Sequence, residues 1–389
     1  MSSRTLASFA SKQENLELLA EGKTKQIYGI KGEKDYVLIR SKDSLTAFNA
    51  ERKNELEGKS KIASKTTVNV FEYLQLLGLP THFEQSISDT EFIARKCTMI
   101  PIEWVARRVA TGSFLKRNPG VKEGFRFNEL KLETFFKDDA NDDPQWTDEQ
   151  IVSNGLMIDH LRIGRDEISL MKKMTKLVFR ALEKAWALEN SALIDMKIEF
   201  GVTVEGEILL ADVIDNDSWR VMEITSTFSK PRKPCHVLVI MGSGSDGVFA
   251  RKISDAAKSF GLEATLKVSS AHKTTSNTLE VLAEFEDSGV PTVVIAVAGR
   301  SNGLGPVIAG NSSLPVINCP PPSESLSLDI WSSLRMPNGI GCTTVLDPSE
   351  AALAAAKILA SHNHIVFGKV LTAQLQNQIN IYNANRKLE

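Results

Sequence analysis

The stretch "HVLVIMGSGSDG", His236 to Gly247, decides the fold of the second half of the chain. It opens with a run of apolar residues, which is typical of a strand buried on both faces of a parallel sheet. A turn of glycines and serines follows, and residues 247–260 then have the spacing of a helix. Strand, tight turn and helix in this order predict the first unit of an α/β domain.

The same alternation of strand and helix continues after this unit. The stretches "EATLKVSS", "PTVVIAVAG" and "LPVINCP" are typical of strands, and "SNTLEVLAEFEDSG" is typical of a helix. Alternating strands and helices favour a parallel sheet that is covered by helices on both faces. We therefore predict a doubly wound, flavodoxin-like α/β parallel-sheet domain over residues 235–389.

The first half of the chain lacks this regular alternation. "LLAEGKTKQIYGIKGEKDYVLIR" predicts strands joined by glycine-bearing turns, whereas "ISLMKKMTKLVFRALEKAWALEN" has apolar residues at helical spacing. These patterns predict an α+β domain over residues 1–225. The prolines and basic residues of "FSKPRKP", Phe228 to Pro234, indicate a linker, which we place at 226–234.

Composition narrows the functional class. The 389 residues carry a formal net charge of −2, 42% of them are hydrophobic and 24% are charged, as in globular proteins of two or three domains. A nearly neutral chain is not expected to bind nucleic acid or an acidic membrane through its overall field. The four cysteines lack metal-site spacing and the N-terminal residues lack a long apolar stretch, so we predict a cytoplasmic protein.

Three polar loops follow three consecutive predicted strands of the second domain: "GSGSD", "SSAHK" and "AGRSNGLGP". The carboxyl ends of parallel strands meet at one edge of a sheet, where ligands bind. Backbone N–H and hydroxyl groups of these loops can bind a phosphate, Lys273 can neutralise it, and Asp246 can accept hydrogen bonds from sugar hydroxyls. Each residue alone is better explained by a structural role, but the three loops together predict a mononucleotide-like ligand.

A dinucleotide site is the main alternative for this domain. "GSGSDG", Gly242 to Gly247, fits the G-x-G-x-x-G fingerprint of NAD-dependent oxidoreductases and lies between a predicted strand and a predicted helix. Such sites need an acidic residue at the end of the second strand, where it binds the ribose hydroxyls. Here that strand ends in "KVSSAHK", and Glu263 lies at its other end. The sequence therefore disfavours NAD as a cofactor.

The three loops also resemble a known enzyme family. "GSGSD", "SAHK" and "AGRSNGLGP" are similar to motifs of the animal-type carboxylase of aminoimidazole ribonucleotide (AIR) in purine biosynthesis, over essentially all of 235–389. The resemblance implies direct use of CO2, without biotin or ATP. It places proton transfer on His272, and a histidine can accept and return a proton near neutral pH. It also implies Lys273 in catalysis and ligand binding, Ser243, Ser245, Asp246 and Arg300 at the ribonucleotide, and Ser301 and Asn302 at the CO2 site.

In the first half, "EGKTKQIY" contains the "GKT" of a nucleotide-binding Walker loop but does not fit that motif. The motif needs a glycine at position 17, which is Glu17, and it should open a helix, whereas "QIYGI" is typical of a strand. Lys23 and Lys25 flank a turn and can still contact nucleotide phosphates as point charges. From this stretch alone, a solvated hairpin tip is an equally good interpretation.

A carboxylate hairpin gives a stronger prediction. In "DMKIEFGVTVEGEILLADVID" the apolar and polar residues alternate, and a two-residue loop at Glu205-Gly206 would pair Glu199 with Asp212 on one face. Directly opposed carboxylates repel each other, and Mg²⁺ bound together with nucleotide phosphates would resolve that conflict. The alternative is a register shifted by one residue, which would place the partner of Glu199 on the opposite face.

This half resembles a second family, the synthetase that joins L-aspartate to carboxyaminoimidazole ribonucleotide with ATP. The similar motifs are "EGKTKQIY", "RRVATGS", "FFKDDANDDP", "DMKIEFG" and "ADVIDNDSWR", over roughly 15–220, and the family fold is an ATP-grasp-like, two-lobed sheet domain. The resemblance implies that ATP and Mg²⁺ are bound by Lys23, Lys25, Lys137, Lys197, Glu199 and Asp212, with Glu199 and Asp212 as metal ligands. It implies that the ribonucleotide is bound by Arg107, Ser113, Asp217 and Arg220.

Both resemblances on one chain indicate the bifunctional enzymes of animal purine biosynthesis, in which one half makes the substrate of the other. Their carboxylase half forms octamers, so we expect a homo-octamer. A non-catalytic ribonucleotide-binding protein is the remaining alternative. It would need the phosphate-binding loops but neither His272 nor the Glu199–Asp212 pair.

The chain departs from the synthetase family after "ADVIDNDSWR". The family continues there into a Leu-Trp-Pro segment, a lysine and arginine that help to hold the substrate phosphate, and a long helix. Here "VMEITSTFSK" follows at once, so dozens of residues are absent. Either the chain is shortened or the protein has residues beyond those printed. A shortened chain predicts weak ligase activity and an intact carboxylase.

Overall fold

The computed structural model describes residues 3–47, 52–55, 58–223 and 234–388, which form two compact units. The N-terminal unit comprises the described residues up to 223 together with 375–388, and the C-terminal unit comprises 234–374. The predicted linker, 226–234, lies outside the described residues except for Pro234. Within the described part of the chain, no helix is long and apolar enough to cross a membrane.

The N-terminal unit mixes helices with mostly antiparallel strands. Its helices are α1 (Ser3–Ala10), α2 (Lys59–Leu77), α3 (Ser113–Arg117), α4 (Asp148–Asn154) and α5 (Arg165–Leu188). Its strands are β1 (Leu16–Glu21), β2 (Lys25–Ile30), β3 (Glu33–Ser41), β4 (Ser44–Ala47), β5 (Arg52–Glu55), β6 (Phe83–Ser88), β7 (Glu91–Arg95), β8 (Thr98–Val109), β9 (Arg126–Phe136), β10 (Met157–Ile158), β11 (Leu161–Arg162), β12 (Ser191–Val202), β13 (Ile208–Ala211) and β14 (Trp219–Glu223).

Two five-stranded sheets form the body of this unit. One has the order β1-β2-β3-β7-β6, and the other has the order β13-β12-β8-β9 with β14 also paired to β12. "EGKTKQIY" lies at the end of β1, in a turn closed by a hydrogen bond from Gly22 N to Lys25 O, and in β2. This stretch is therefore a strand hairpin, as predicted, and not a Walker loop. The α+β character predicted for this half is confirmed.

The predicted pairing of Glu199 with Asp212 is wrong by one residue. In the hairpin of β12 and β13, Glu199 is paired with Ala211 and Val202 with Ile208. The loop is longer than expected because Thr203 N bonds to Glu207 O, which leaves three residues at the tip, with Gly206 at φ 79°. A three-residue hairpin loop that ends in a left-handed glycine is a common alternative to the two-residue loop.

The C-terminal unit alternates strands and helices. Its strands are β15 (His236–Met241), β16 (Glu263–Val268), β17 (Thr292–Val297), β18 (Val316–Asn318) and β19 (Thr343–Thr344). Its helices are α6 (Gly247–Ser259), α7 (Thr275–Asp287), α8 (Leu304–Asn311), α9 (Leu326–Asp329), α10 (Trp331–Leu334) and α11 (Pro348–Leu359). The last helix, α12 (His364–Arg386), begins in this unit, and its residues from Leu375 group with the N-terminal unit.

The sheet of the C-terminal unit is parallel and has the order β16-β15-β17-β18-β19. In β15, Val237 and Val239 pack into a core that includes α6 and α11, whereas Leu238 and Ile240 pack into a second core with α7 and α8. Successive side chains of a strand point to opposite faces, so an entirely apolar strand needs helices on both. The predicted doubly wound, flavodoxin-like fold is confirmed.

Candidate active sites

The three predicted loops of the C-terminal unit form the wall of one cavity of about 590 Å³, a volume within the range of small-molecule sites. They follow β15, β16 and β17, three neighbouring strands, at the carboxyl edge of the sheet. Glu263 lies at the opposite end, where it is paired with His236 at the start of the strands. The predicted residues that line the cavity are Ser243, Ser245, Asp246, His272, Lys273, Arg300 and Ser301.

The first loop presents hydroxyl groups before a helix. The hydroxyl oxygens of Ser243 and Ser245 are 2.8 Å apart, and Ser243 Oγ accepts a hydrogen bond from Ser245 N. The helix α6 begins at Gly247, directly after this loop, so its N-terminus lies at this side of the cavity. Partial burial raises the pKa of Asp246 above its ordinary value. Hydroxyls and a helix N-terminus together suit a phosphate.

His272 is exposed in the second loop, and its ring lies against the backbone of Gly303 in the third. A Cβ atom at position 303 would lie 2.5 Å from His272 Nε2 and 2.7 Å from Cε1. Such distances are shorter than any normal contact of a Cβ atom. Only glycine therefore allows the observed position of the imidazole, which has backbone on one side and lines the cavity.

Most residues of the third loop face the cavity, but Asn302 does not. Ser301 lines the cavity, and the preceding Arg300 has a left-handed backbone with φ 55°. Asn302 is 3% exposed, and its amide forms hydrogen bonds with Asn318, Ser333 and Gly305 N. The structure thus places Asn302 behind the wall of the cavity.

Gly303→Ala is expected to lower turnover at this site by about 10²-fold, the order of effect of a displacement of about 1 Å at a reacting group. The added methyl group cannot coexist with the imidazole of His272 in its present position. Turnover is measured at saturating substrate. Gly341→Ala is the control, because a Cβ atom there would meet no atom within 4 Å and the residue does not line the cavity. Equal turnover of the two variants would show that the position of the ring does not matter.

The N-terminal unit has a cavity of about 300 Å³ with two different ends. Its apolar end is formed by Leu19, Ile27, Val37, Ile39 and Met99 from the two sheets, and its charged end by Lys25, Lys137, Glu199 and Asp212. An apolar slot beside a cluster of charges suits a nucleotide, with the base at one end and the phosphates at the other.

Lysines surround the carboxylates at the charged end. Lys137 Nζ and Lys197 Nζ each donate to Glu199, at 2.9 Å. Burial alone would raise the pKa of Glu199, but these ammonium groups outweigh it and hold the pKa below its ordinary value. Burial lowers the pKa of Lys25 to about 8. The lysines therefore balance negative charge that is already present at this end of the cavity.

Asp212 reaches this cavity despite the shifted register. It lies directly after the end of β13 and has a left-handed backbone with φ 64°, which interrupts the alternation of faces. Lys25 Nζ forms an ion pair with its Oδ1. Asp212 Oδ1 is buried and lacks a hydrogen bond within the described part of the chain. A buried carboxylate oxygen that is paired with an ammonium group carries the negative charge that a hard cation such as Mg²⁺ prefers.

A third cavity, of about 710 Å³, lies beside the "ATGS" loop and is lined by Arg220, Val221 and Met222 among others. Arg220 Nε donates to Asp195 Oδ1 at 2.9 Å, and its guanidinium lies against Gly112, where a Cβ atom would be 2.6 Å from Nη1. Val221 is 41% exposed and Met222 is 61% exposed. The apolar side of this cavity is thus open to solvent.

Comparison with known proteins supports the family resemblance of both halves. The family model described as SAICAR synthetase (succinocarboxamide ribonucleotide synthetase) matches residues 18–234, and that described as AIR carboxylase matches 236–379. A relative from Caenorhabditis elegans, named probable multifunctional protein ADE2, is 84% identical over 99% of this chain and 100% of its own. The chain belongs to the bifunctional AIR carboxylase/SAICAR synthetase family.

Two further known proteins are similar to this chain, one over nearly its whole length and one over the synthetase half. The bifunctional phosphoribosylaminoimidazole carboxylase/phosphoribosylaminoimidazole succinocarboxamide synthetase of Rattus norvegicus is 47% identical over 95% of this chain and 96% of its own. A solved SAICAR synthetase in complex with ADP has a TM-score of 0.50 and 31% identity, and covers 55% of this chain and 86% of its own. The synthetase half therefore resembles a protein that binds a nucleotide.

The chain is short by comparison with the Caenorhabditis elegans relative. The alignment with the Caenorhabditis elegans relative runs over 421 residues and this chain has 389, so at least 32 aligned positions have no counterpart here. That number agrees with the dozens of residues expected after Arg220. The carboxylase family model matches residues 236–379.

Other residues assigned to the synthetase site lie outside these cavities or behind their walls. Lys23 is exposed and 3.6 Å from Asp139, and Lys197 bonds to Glu103 at 3.2 Å as well as to Glu199. Asp217 accepts from Lys59 at 2.8 Å. Ser113 opens α3 next to the Arg220 contact.

Arg107 of the synthetase half is buried, which its basic motif did not indicate. Its side chain is 4% exposed, with Nε 3.0 Å from Glu133 Oε2 and Nη1 2.5 Å from Asp195 Oδ2. Glu133 also accepts from Arg117, and Asp195 from Arg220. Arg107 is thus the centre of a charge network whose outer arginines are the partly exposed ones.

Two residues of these sites could not be recognised from the sequence. His82 lines the nucleotide-type cavity, and its Nε2 donates to the backbone carbonyl of Asp212 at 2.8 Å. Burial lowers its pKa to about 3, so the ring is neutral. Gly303 belongs to the "AGRSNGLGP" motif, but the motif alone did not assign it a role. Its place in "SNG" was the one available signal, whereas nothing local to His82 indicated its role.

Proposed function

We propose that the chain catalyses two consecutive steps of purine biosynthesis. The carboxylase half adds CO2 to AIR without biotin, NAD or ATP, and the synthetase half joins L-aspartate to the product at the expense of ATP. The observation that carries the proposal is the meeting of three loops around one cavity, with His272 between a phosphate-binding loop and Ser301. The family to which the chain belongs supports both steps.

The carboxylase step needs one proton carrier. The enamine-like ring carbon of AIR attacks CO2, a C–C bond forms, and the proton on that carbon must leave. We assign it to His272, whose Nε2 lies at Gly303 in the cavity wall. Ser243 and Ser245 would bind the phosphate, Asp246 the ribose hydroxyls, and Lys273 the negative charge of the ligand.

The synthetase step needs a phosphoryl transfer. A carboxylate is a poor acyl donor, so the γ-phosphoryl group of ATP would form an acyl phosphate, which the amine of aspartate attacks with release of phosphate. Lys25 and Lys137 would neutralise the phosphates, since both line the charged end of the cavity. Glu199 and Asp212, which both line the cavity, would hold Mg²⁺, which when bound offsets the charge on the phosphates. Arg220 and Ser113 would bind the ribonucleotide beside the third cavity.

Assembly and location complete the proposal. The carboxylase unit exposes several large apolar side chains, including Leu328 at 76%, Trp331 at 57% and Leu334 at 53%. Further copies of the chain would cover them in the octamer expected from the family. We place the protein in the cytoplasm, where the four cysteines, all free in the structure, would stay reduced.

The two halves are tested by separate assays on the purified chain. Labelled CO2 should enter AIR in the absence of ATP, and labelled aspartate should enter the product only with ATP and Mg²⁺. Reduction of NAD in place of CO2 fixation would favour the dinucleotide alternative. Ribonucleotide binding without either reaction would favour the non-catalytic binding protein.

Lys25→Met is expected to weaken ATP binding by about tenfold or more, since each 1.4 kcal/mol of lost interaction is a factor of ten. The reason is the loss of one buried positive charge at the phosphate end of the cavity. Calorimetric titration with ATP and Mg²⁺ measures the affinity. Lys34→Met, which removes an exposed lysine of β3, is the matched control. Unchanged affinity in Lys25→Met would remove this lysine from the ATP site.

A further inference from the structure

Asn302 is almost completely buried, although its neighbours on both sides take part in the carboxylase cavity. Only 3% of the residue is exposed, whereas Ser301 lines the cavity and Gly303 supports the His272 ring. The sequence resemblance assigned Asn302 to the CO2 site. Its burial raises the question of what its amide does.

Every polar atom of the Asn302 side chain has a protein partner. Its Oδ1 accepts from Gly305 N at 3.0 Å, and its Nδ2 donates to Asn318 Oδ1 at 2.9 Å and to Ser333 Oγ at 3.0 Å. The orientation of the amide is fixed, because the N–H of Gly305 can only donate. A carboxamide with its oxygen and both N–H groups engaged has no donor left for CO2.

The partners of Asn302 come from separate elements behind the loop. Asn318 ends β18 and is fully buried, and Ser333 belongs to α10. The backbone N–H of Asn302 also donates to Ser332 Oγ at 2.9 Å, and that hydroxyl lies 3.0 Å from the carbonyl oxygen of Arg300. The loop is thus tied to the sheet and to a helix through one residue.

The loop needs this anchoring because it is both strained and tightly packed. Arg300 has φ 55°, a left-handed conformation that is unfavourable for a residue with a side chain. At Gly305, a Cβ atom would lie 1.7 Å from Asn318 Oδ1, so the backbone and the buried amides are in direct contact. Between these two points lies Gly303, against the imidazole of His272.

We propose that Asn302 is a positioning residue of the carboxylase, which holds Gly303 at the height that the His272 imidazole requires, and that it does not contact CO2. The inference rests on the proposed function of the carboxylase half. It predicts that replacing Asn302 lowers kcat for CO2 addition and leaves the KM values for AIR and CO2 unchanged.

The test compares Asn302→Ala and Asn302→Ser with the wild-type chain. We expect kcat for CO2 addition to fall by about tenfold or more in Asn302→Ala, and the KM values for AIR and CO2 to stay within about twofold. Asn302→Ser retains a hydroxyl that can accept from Gly305 N and should regain part of kcat. Asn311→Ala removes an exposed asparagine from α8 and should leave kcat unchanged.

Two results would overturn the inference. A raised KM for CO2 with kcat restored at high CO2 would mean direct binding of CO2, and an unchanged kcat in a folded Asn302→Ala chain would mean no role. If Asn302→Ala does not fold, Asn302→Ser decides by the same criteria.

If the wild-type chain had no carboxylase activity, the proposed function would be wrong. The inference would then be decided by the ¹⁵N resonance of the His272 imidazole, assigned from its absence in His272→Asn. An unshifted resonance in Asn302→Ser would contradict it.

Discussion

Replacing His272 by asparagine is expected to lower the rate of CO2 addition to AIR by about 10²–10⁴-fold, which is the usual contribution of a general acid or base. Asparagine is close in size to histidine and keeps a polar group over Gly303, but it cannot accept the proton that leaves the ring carbon. The groups expected to bind the phosphate and ribose, Ser243, Ser245 and Asp246, lie on a different loop. Ribonucleotide affinity, measured by calorimetry, should therefore change by no more than a few-fold.

The control for this variant is His362→Asn, which removes an exposed histidine between α11 and α12. It should carboxylate AIR at the wild-type rate. Near-normal turnover in His272→Asn would show that another group carries the proton. Loss of both turnover and binding would mean that the residue is mainly a ligand contact.

Restoring the missing segment is expected to raise ATP-dependent incorporation of aspartate by about tenfold or more while CO2 addition stays unchanged. The variant carries, after Glu223, the corresponding residues of the Caenorhabditis elegans relative, whose alignment has at least 32 more positions than this chain. By the resemblance to the synthetase family, we expect this segment to bring a lysine and an arginine to the substrate phosphate. In the present chain Val221 and Met222 are left exposed beside Arg220, whose guanidinium is paired with Asp195.

A glycine-serine insert of the same length is the control, because it restores chain length without the side chains of the relative. An intact mass of 42.8 kDa for the starting protein would establish that the shorter chain was assayed. Ligase turnover of this chain equal to that of the relative would contradict the prediction. An equal gain from the glycine-serine insert would attribute the effect to spacing alone.

The carboxylase cavity could be predicted largely from the sequence. Each loop follows an apolar strand of a parallel sheet, and the geometry of that fold brings the carboxyl ends of neighbouring strands together. His272, Ser245 and Ser301 therefore met as expected, although the chain separates them by dozens of residues. The burial of Asn302 could not be predicted, because its partners Asn318 and Ser333 follow later in the chain.

The synthetase site was less predictable because it depends on details of turns and on distant partners. One extra residue in the loop tip at Gly206 shifted the register of the hairpin, and the left-handed backbone of Asp212 then returned its carboxylate to the cavity. Arg107 looked like a ligand-binding residue by its motif. Its partners Glu133 and Asp195 are 26 and 88 positions away, so no local pattern indicated the buried network.

Two of the three glycines of the third loop, Gly303 and Gly305, limit how this carboxylase can change during evolution. At Gly303 and at Gly305 a single methyl group would collide with an imidazole or a buried amide. Neither position can therefore accept a larger side chain by a single substitution. A change at 305 would first require a smaller residue in place of Asn318. A saturation library over 300–305 should accordingly show abrupt intolerance at these glycines, and a variant at 305 should survive only as half of a compensated pair.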